Sequence, residues 1–193
     1  CLVYDPSFGK YSRIDTEYYE SHNIPRAKTE EEVYASDADI VVVASPDQFH
    51  AEQSVRALKA GKHVACEKPL APTVADCRRI IEAVRSTGKE FMTGQVCRYA
   101  PCFKLMKQLI EAGRIGEIVA MEGSYAHDYT EAPGWEDWRK CAEVGRYGFL
   151  GGGCHSLDLL RYLAGNPLEV CCYMNQKFLK DWSKPDTGVA IAK

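Results

Sequence analysis

The sequence predicts an α/β chain built on a doubly wound parallel sheet, and three observations carry that expectation. Apolar runs of strand length alternate with stretches of helical period four times within the first 95 residues, the signature of successive βαβ units. The run Ile40-Val41-Val42-Val43-Ala44 is apolar at every position, as a strand covered on both faces must be. Cap and turn residues stand where each run has to end.

Taken in order, Leu2 to Tyr4 reads as a strand stopped by Asp5-Pro6. Thr29-Glu30-Glu31-Glu32 has the Thr-x-x-Glu spacing of a capping box and opens a short helix. The 40–44 strand stops at Ser45-Pro46, and from Asp47 a helix carries Ala51, Val55 and Leu58 on one face, with Gly61 beyond it as a left-handed residue. His63 to Cys66 is the next strand. Thr73 and Asp76 open a helix whose Cys77, Ile80, Ile81 and Val84 share a face until Gly88 closes it, and Glu90 to Thr93 is a further strand. Pro101 suits the first turn of a helix reaching Ala112 with Gly113 after it. Ile118 to Tyr125 reads as a strand. The aromatic, polar and Gly-containing text from His127 to Gly153 is too long for an ordinary connection and is expected to be a functional loop with short structure of its own. A last helix follows Gly151-Gly152-Gly153.

The 193 residues suit one domain or two small ones, and 46% hydrophobic with 26% charged residues is the balance of a folded globular chain. Lys plus Arg number 24 against 27 Asp plus Glu, a net charge of −3, so no basic field offers counterion-release energy and nucleic acid is not an expected partner. No apolar run approaches the roughly 20 residues of a spanning helix, so no membrane partner is expected either. The opening Cys1-Leu2-Val3-Tyr4-Asp5 has neither an initiator Met nor a charged region ahead of an apolar stretch, and the chain is expected to begin inside a longer protein. Nine cysteines, odd in number, irregularly spaced and without a Cys-x-x-Cys, fit neither a disulfide framework nor a metal site. They are expected as small buried hydrophobes in a reducing, cytoplasmic compartment.

In a doubly wound sheet ligands bind at the carboxyl ends of strands, which directs attention to Asp5, Ser45-Pro46, Glu67-Lys68-Pro69 and the residues from Gly94 onward. An acid at position 5 can accept from both ribose hydroxyls of NAD while repelling the extra phosphate of NADP; the alternative is an Asp-Pro turn. Lys68 after a buried strand can hold a substrate hydroxyl and stabilise the developing alkoxide, or it can belong to a surface ion pair with Glu67. His155, Asp158, Leu159 and Tyr162 share one helical face, so Asp158 is near enough to orient an imidazole that could act as general base; a structural His at a helix start is the alternative. His50 could line a cofactor cleft or simply pack. Trp135, Trp138 and Arg139 could form a sugar-stacking, hydroxyl-binding wall or serve as core.

With these residues assembled, the chain resembles the glucose-fructose oxidoreductase and inositol dehydrogenase (Gfo/Idh/MocA) family. The resemblance runs through Ala44-Ser45-Pro46-Asp47-Gln48-Phe49-His50, Ala60-Gly61-Lys62-His63-Val64, Glu67-Lys68-Pro69-Leu70-Ala71, Arg98-Tyr99-Ala100-Pro101, Gly113-Arg114-Ile115-Gly116-Glu117-Ile118 and His155-Ser156-Leu157-Asp158 with Leu163-Ala164-Gly165, in order across the chain. It implies a Rossmann NAD-binding domain over 1–95 without its first strand, glycine-rich turn and first helix. Over 96–193 it implies the beginning of a substrate and oligomerisation domain, α/β (α+β), with an open, largely antiparallel sheet. By resemblance Lys68 is the active-site lysine and His155 the catalytic histidine. Ser45, Pro46, His50, Glu67, Lys68 and Arg98 surround the nicotinamide and its ribose, Asp5 meets the adenosine ribose, and Tyr125, Trp138, Arg139 and Asp158 face the substrate. The implied activity is NAD-dependent hydride transfer, with NADP less favoured, to or from a sugar, cyclitol or polyol hydroxyl, in a homo-oligomer (dimer or tetramer). A glycoside-cleaving enzyme with transient oxidation, and a non-catalytic NAD- or ligand-binding protein, stand as alternatives. One departure matters: where inositol-type dehydrogenases carry an Asp four residues before the histidine, this chain has Gly151.

Overall fold

The computed structural model describes residues 1–6, 16–130, 138–139, 146–180, 182 and 184–193. It divides into two compact units, Cys1–Thr93 and Gly94–Lys193.

The first unit contains α1 (Thr16–Ser21), α2 (Glu30–Ala35), β1 (Ile40–Val43), α3 (His50–Lys59), β2 (His63–Cys66), α4 (Val74–Thr87) and β3 (Phe91–Thr93), with a 3₁₀ turn at Asp47–Phe49 leading into α3. The strands form one parallel sheet in the order β1-β2-β3, with Val43 beside Cys66 and Cys66 beside Thr93. Local chemistry sets the helix ends. Thr29 accepts from the Glu32 amide at 3.3 Å, and the Glu32 carboxylate returns to the Lys28 amide at 2.8 Å, one residue earlier than a capping box requires. Thr73 accepts from the Asp76 amide at 3.1 Å and donates to its carboxylate at 2.7 Å, and α4 ends at Gly88 with φ +65°.

Val41, Val43, Val64 and Cys66 pack with Ala51, Val55 and Leu58 of α3 and Ile80 and Ala83 of α4 into the core. Burial in β1 alternates, so the double coverage expected of that strand is not found: Ile40 and Val42 are 59% and 71% exposed, and Met92 of β3 is 50% exposed. The helical layer of α3 and α4 covers one side of the sheet, and a side chain's pleat position decides whether it meets that layer. Leu2–Tyr4 is also not a full strand. It makes a single parallel bridge, Val3 with Arg26, through Val3 N–H to the Pro25 carbonyl (3.1 Å) and Ala27 N–H to the Val3 carbonyl (2.8 Å), because a proline beside it removes the next ladder donor.

The second unit contains a 3₁₀ turn (Val96–Tyr99), α5 (Pro101–Glu111), a π-helical turn (Phe149–Gly153), α6 (Cys154–Ala164), β4 (Val170–Asn175) and β5 (Thr187–Ala192). The two strands pair antiparallel over all six residues of each. Asp186 organises their connection. Its carboxylate accepts from the amides of Lys177 (3.1 Å), Phe178 and Leu179 (both 2.7 Å) and from the Thr187 hydroxyl (2.7 Å). Burial works against its charge, but these donors outweigh it and hold the carboxyl below its ordinary range. The strand expected over Ile118–Tyr125 does not form a ladder among the described residues. A strand exists only through a partner's hydrogen bonds, and no strand pairs with this segment among the described residues.

The cysteines also differ from expectation. Cys66 is buried, Cys77, Cys97 and Cys154 are half-buried, and Cys1, Cys102, Cys171 and Cys172 are exposed. The pair at 171–172 sits in an exposed two-stranded ribbon, so its β-branched surroundings reflect strand propensity rather than core. Cys141 lies outside the described residues.

Candidate functional site

In the first unit, parallel pairing places the loops after β1 and β2 side by side. The Glu67 amide donates to the Val43 carbonyl at 2.8 Å, extending the ladder by one bond before both chains turn. Ser45 and Pro46 therefore lie beside Glu67 and Lys68 at the carboxyl edge of the sheet. Glu67 is exposed and Lys68 half-buried; the Glu67 carboxylate accepts from the Lys68 amide at 3.2 Å, and the Lys68–Pro69 peptide is cis. Asp5 is half-buried just after the Val3 bridge.

His50 is not on the cleft surface. It is 1% exposed, with Nδ1 at 2.8 Å from the Pro69 carbonyl and Nε2 at 2.8 Å from the Ser45 carbonyl. Both ring nitrogens face backbone oxygens, and the ring bridges the two loops from inside the fold. Ser45 is held a second time, its hydroxyl donating to Gln53 Oε1 at 2.5 Å. The Gln53 amide donates to Glu30 Oε1 at 2.7 Å, and Glu30 Oε2 accepts from Arg56 (3.0 Å) and from the Tyr34 hydroxyl (3.2 Å). Burial, and then the Glu30 charge, push the Tyr34 phenol well above its ordinary range. The sequence reading missed Gln53 and Glu30. Their signal was positional: Gln53 follows His50 by three on one helix face, and Glu30 sits in the first turn of the helix alongside.

In the second unit, the 3₁₀ turn Val96–Tyr99 lies against the face of α6 that carries His155, Asp158 and Tyr162. Arg98 grips Asp158 with two parallel bonds, Nε to Oδ2 at 2.6 Å and Nη2 to Oδ1 at 2.5 Å, and its guanidinium lies 5.3 Å from the centre of the Tyr162 ring. The Asp158 bonds, acting against burial, raise the Arg98 pKa. One residue earlier, Cys97 Sγ stands 3.7 Å from His155 Nδ1. Arg98 and Asp158, expected on the cofactor and on the substrate or His155, are thus partners of each other, because a planar fork and a carboxylate match more closely than either matches an imidazole.

Tyr125 is exposed, with its ring 6.0 Å from that of His155 and 6.1 Å from that of His127. The guanidiniums of Arg139 and Arg146 lie 4.5 and 5.3 Å from the centre of the Trp138 ring, and the Arg139 carbonyl accepts from the indole of buried Trp182 at 3.0 Å. Trp135 lies outside the described residues. The surroundings of Gly151 leave little room for a side chain. A Cβ there would stand 2.9 Å from the Tyr129 hydroxyl and 3.1 Å from Nε of buried Arg146, and one at Gly152 would stand 2.3 Å from Tyr125 Cε1. The position is closed by an aromatic wall and a guanidinium. Burial pushes the Tyr129 phenol up against the pull of Arg146. Tyr129 and Arg146 carried no motif by which the sequence could have singled them out.

Residues 3–95 match the profile of an oxidoreductase family with an NAD-binding Rossmann fold, and residues 103–193 match the GFO/IDH/MocA C-terminal domain. The chain belongs to the GFO/IDH/MocA family. Within that family it is 36% identical over 131 residues to levoglucosan dehydrogenase of Pseudarthrobacter phenanthrenivorans, covering 67% of this chain and 34% of that protein. It is 34% identical over 122 residues to inositol 2-dehydrogenase of Salmonella typhimurium, covering 63% of this chain and 34% of that protein. A solved levoglucosan dehydrogenase in complex with NADH and levoglucosan superposes with a TM-score of 0.81 at 25% identity, over 96% of this chain and 49% of the other. The chain spans about a third of the length of these curated relatives and about half of that solved family structure.

Proposed function

We propose that the protein is an NAD-dependent oxidoreductase that interconverts a hydroxyl of a sugar, cyclitol or related polyol with the corresponding carbonyl. The observation that carries this reading is Glu67-Lys68-Pro69 at the carboxyl end of β2, beside Ser45-Pro46 at the carboxyl end of β1, in a GFO/IDH/MocA Rossmann sheet. Ligands of open parallel sheets sit at that edge. The residues present fit the nicotinamide end of NAD: a small-residue loop for close approach, hydrogen-bonding groups on Ser45, and a lysine within the same loop pair. Asp5 suits a ribose diol and opposes a ribose phosphate, which favours NAD over NADP.

Nicotinamide, when bound, supplies the carbon that accepts hydride. The chain's own residues supply the rest. The Lys68 ammonium donates to the substrate oxygen and stabilises its developing negative charge. His155 takes the hydroxyl proton, so the substrate loses H⁺ and hydride together and becomes a carbonyl. Tyr125, Trp138 and Arg139 offer the aromatic and donor groups that bind a polyol face. Nine cysteines, odd in number, irregularly spaced and without a Cys-x-x-Cys, suit a reducing compartment such as the cytoplasm, and the exposed apolar residues Val170, Tyr173, Val189 and Ile191 of β4 and β5 support homo-oligomer assembly.

The test is an absorbance assay at 340 nm with NAD and a broad panel of sugars and cyclitols. At least one should reduce NAD, and Lys68→Ala and His155→Ala should each lower turnover by about 10²- to 10⁴-fold. No reduction across the panel overturns the activity, and full turnover by either variant overturns the role given to that residue.

A further inference from the structure

The first turn of α3 touches both loops that form the proposed cofactor edge, and it does so from beneath. His50 reaches the Ser45 carbonyl with Nε2 and the Pro69 carbonyl with Nδ1, each at 2.8 Å, while 1% exposed. Pro69 directly follows Lys68, and Ser45 directly follows the end of the β1 ladder plus one residue. Three residues along the same helix, Gln53 takes the Ser45 hydroxyl at 2.5 Å. Ser45 is thus fixed by main chain and side chain to the helix that also fixes the carbonyl after Lys68.

An imidazole suits this task because its two nitrogens lie on a rigid ring and point away from each other, so one side chain can span two loops without a flexible stem. Either neutral tautomer donates to one of the carbonyls, and the doubly protonated ring donates to both. Nothing about the position requires exposure, and a ring at this burial cannot contact a ligand lying at the sheet edge.

We propose that His50 is a positioning residue, a clamp that holds the Lys68 loop in register with the Ser45 loop and so sets where Lys68 meets substrate. This rests on the oxidoreductase reading for its effect on turnover, but the clamp itself is a property of the loops. Removing it takes away the ring that spans the two carbonyls and the donor of at least one of them, and the loss of one such bond corresponds to about a tenfold rise in the open population of the loop it held.

The experiment compares His50→Leu and His50→Gln with the native protein by hydrogen-exchange mass spectrometry and by steady-state kinetics. In His50→Leu, exchange in segments 43–47 and 66–72 should accelerate about tenfold while α4 (Val74–Thr87) keeps its protection. The kcat with NAD should fall more than the substrate KM rises. His50→Gln, which restores a donor, should recover part of both. The clamp is overturned if either loop keeps native exchange, if α4 loosens equally, or if Gln behaves like Leu. Should His50→Leu fail to fold, His50→Gln alone decides: intermediate loosening confined to the two loops supports the clamp, and unchanged or uniform exchange overturns it. If the native protein fails to reduce NAD with every substrate of the panel, the oxidoreductase reading fails while the exchange result still decides the clamp.

Discussion

The Arg98–Asp158 pair is the contact in the second unit whose removal has the clearest expected size. The two bonds measure 2.6 and 2.5 Å, and the side chains are 38% exposed for Arg98 and 11% for Asp158. A fully exposed pair would contribute about 0–1 kcal/mol, and breaking a fully buried one would cost about 3–5 kcal/mol. With the guanidinium partly open to water, Arg98→Met should cost about 2 kcal/mol, chiefly by stranding the enclosed carboxylate. Asp158→Asn should cost about 1.5 kcal/mol, since the cation it leaves can reach solvent. The double variant, which strands no charge, should cost no more than Arg98→Met, giving a coupling of at least about 1.5 kcal/mol. Urea melts of the four proteins, with m-values checked for constancy, measure it. Additivity within about 0.3 kcal/mol would refute the pairing as a stabilising contact and return Asp158 to the role of steering His155.

Other expectations follow from single sites. Burial raises the Cys66 thiol to about 11 from an ordinary value of 9.0, so the folded chain keeps that proton after the unfolded chain has lost it. Stability from this group is complete below about pH 9 and is lost as pH rises towards 11, by roughly 2–3 kcal/mol; alkaline melts of Cys66→Ala lacking that decline check it, and an equal decline refutes it. Gly152→Ala places a methyl 2.3 Å from Tyr125 Cε1 and should cost about 1–3 kcal/mol with a changed near-ultraviolet tyrosine signal; an unchanged melt would show that the ring yields freely. Asp186→Ala should release the turn between β4 and β5, seen as rapid exchange of the Phe178 and Leu179 amides that now donate to it. Because its folded carboxyl is depressed, its contribution is present above about pH 4 and fades as pH falls further.

What the sequence disclosed was chemistry local to the chain. The caps at Thr29 and Thr73, the left-handed glycines at 61, 88 and 113, and the limits of β2 all came from residues within a few positions of one another. The strand readings at Leu2–Tyr4 and Ile118–Tyr125 depended on partners that no local pattern names, and the structure gives one a single bridge and the other no ladder among the described residues. His50 was visible as an unusual residue after a strand, but one of the two carbonyls its ring meets belongs to Pro69, nineteen positions away. The face of α6 was legible from its period, whereas the partner of Asp158 lies sixty positions upstream. Gly151 could be recognised as a departure from the family pattern, yet only the packing of Tyr129 and Arg146 shows what occupies that space instead.

The chain of bonds from Glu30 to Ser45 has a polarity. A carboxylate can only accept, so the Gln53 end facing Glu30 must be its NH₂, and its carbonyl oxygen must therefore face Ser45. That oxygen in turn compels Ser45 to spend its one hydroxyl proton inward. What the Ser45 hydroxyl has left for any further partner is lone pairs. A ligand group meeting it has to bring its own hydrogen, as an amide or a hydroxyl does and a fully ionised phosphate does not. A glutamate on a neighbouring helix thereby decides the hydrogen-bonding sign of a serine it never touches.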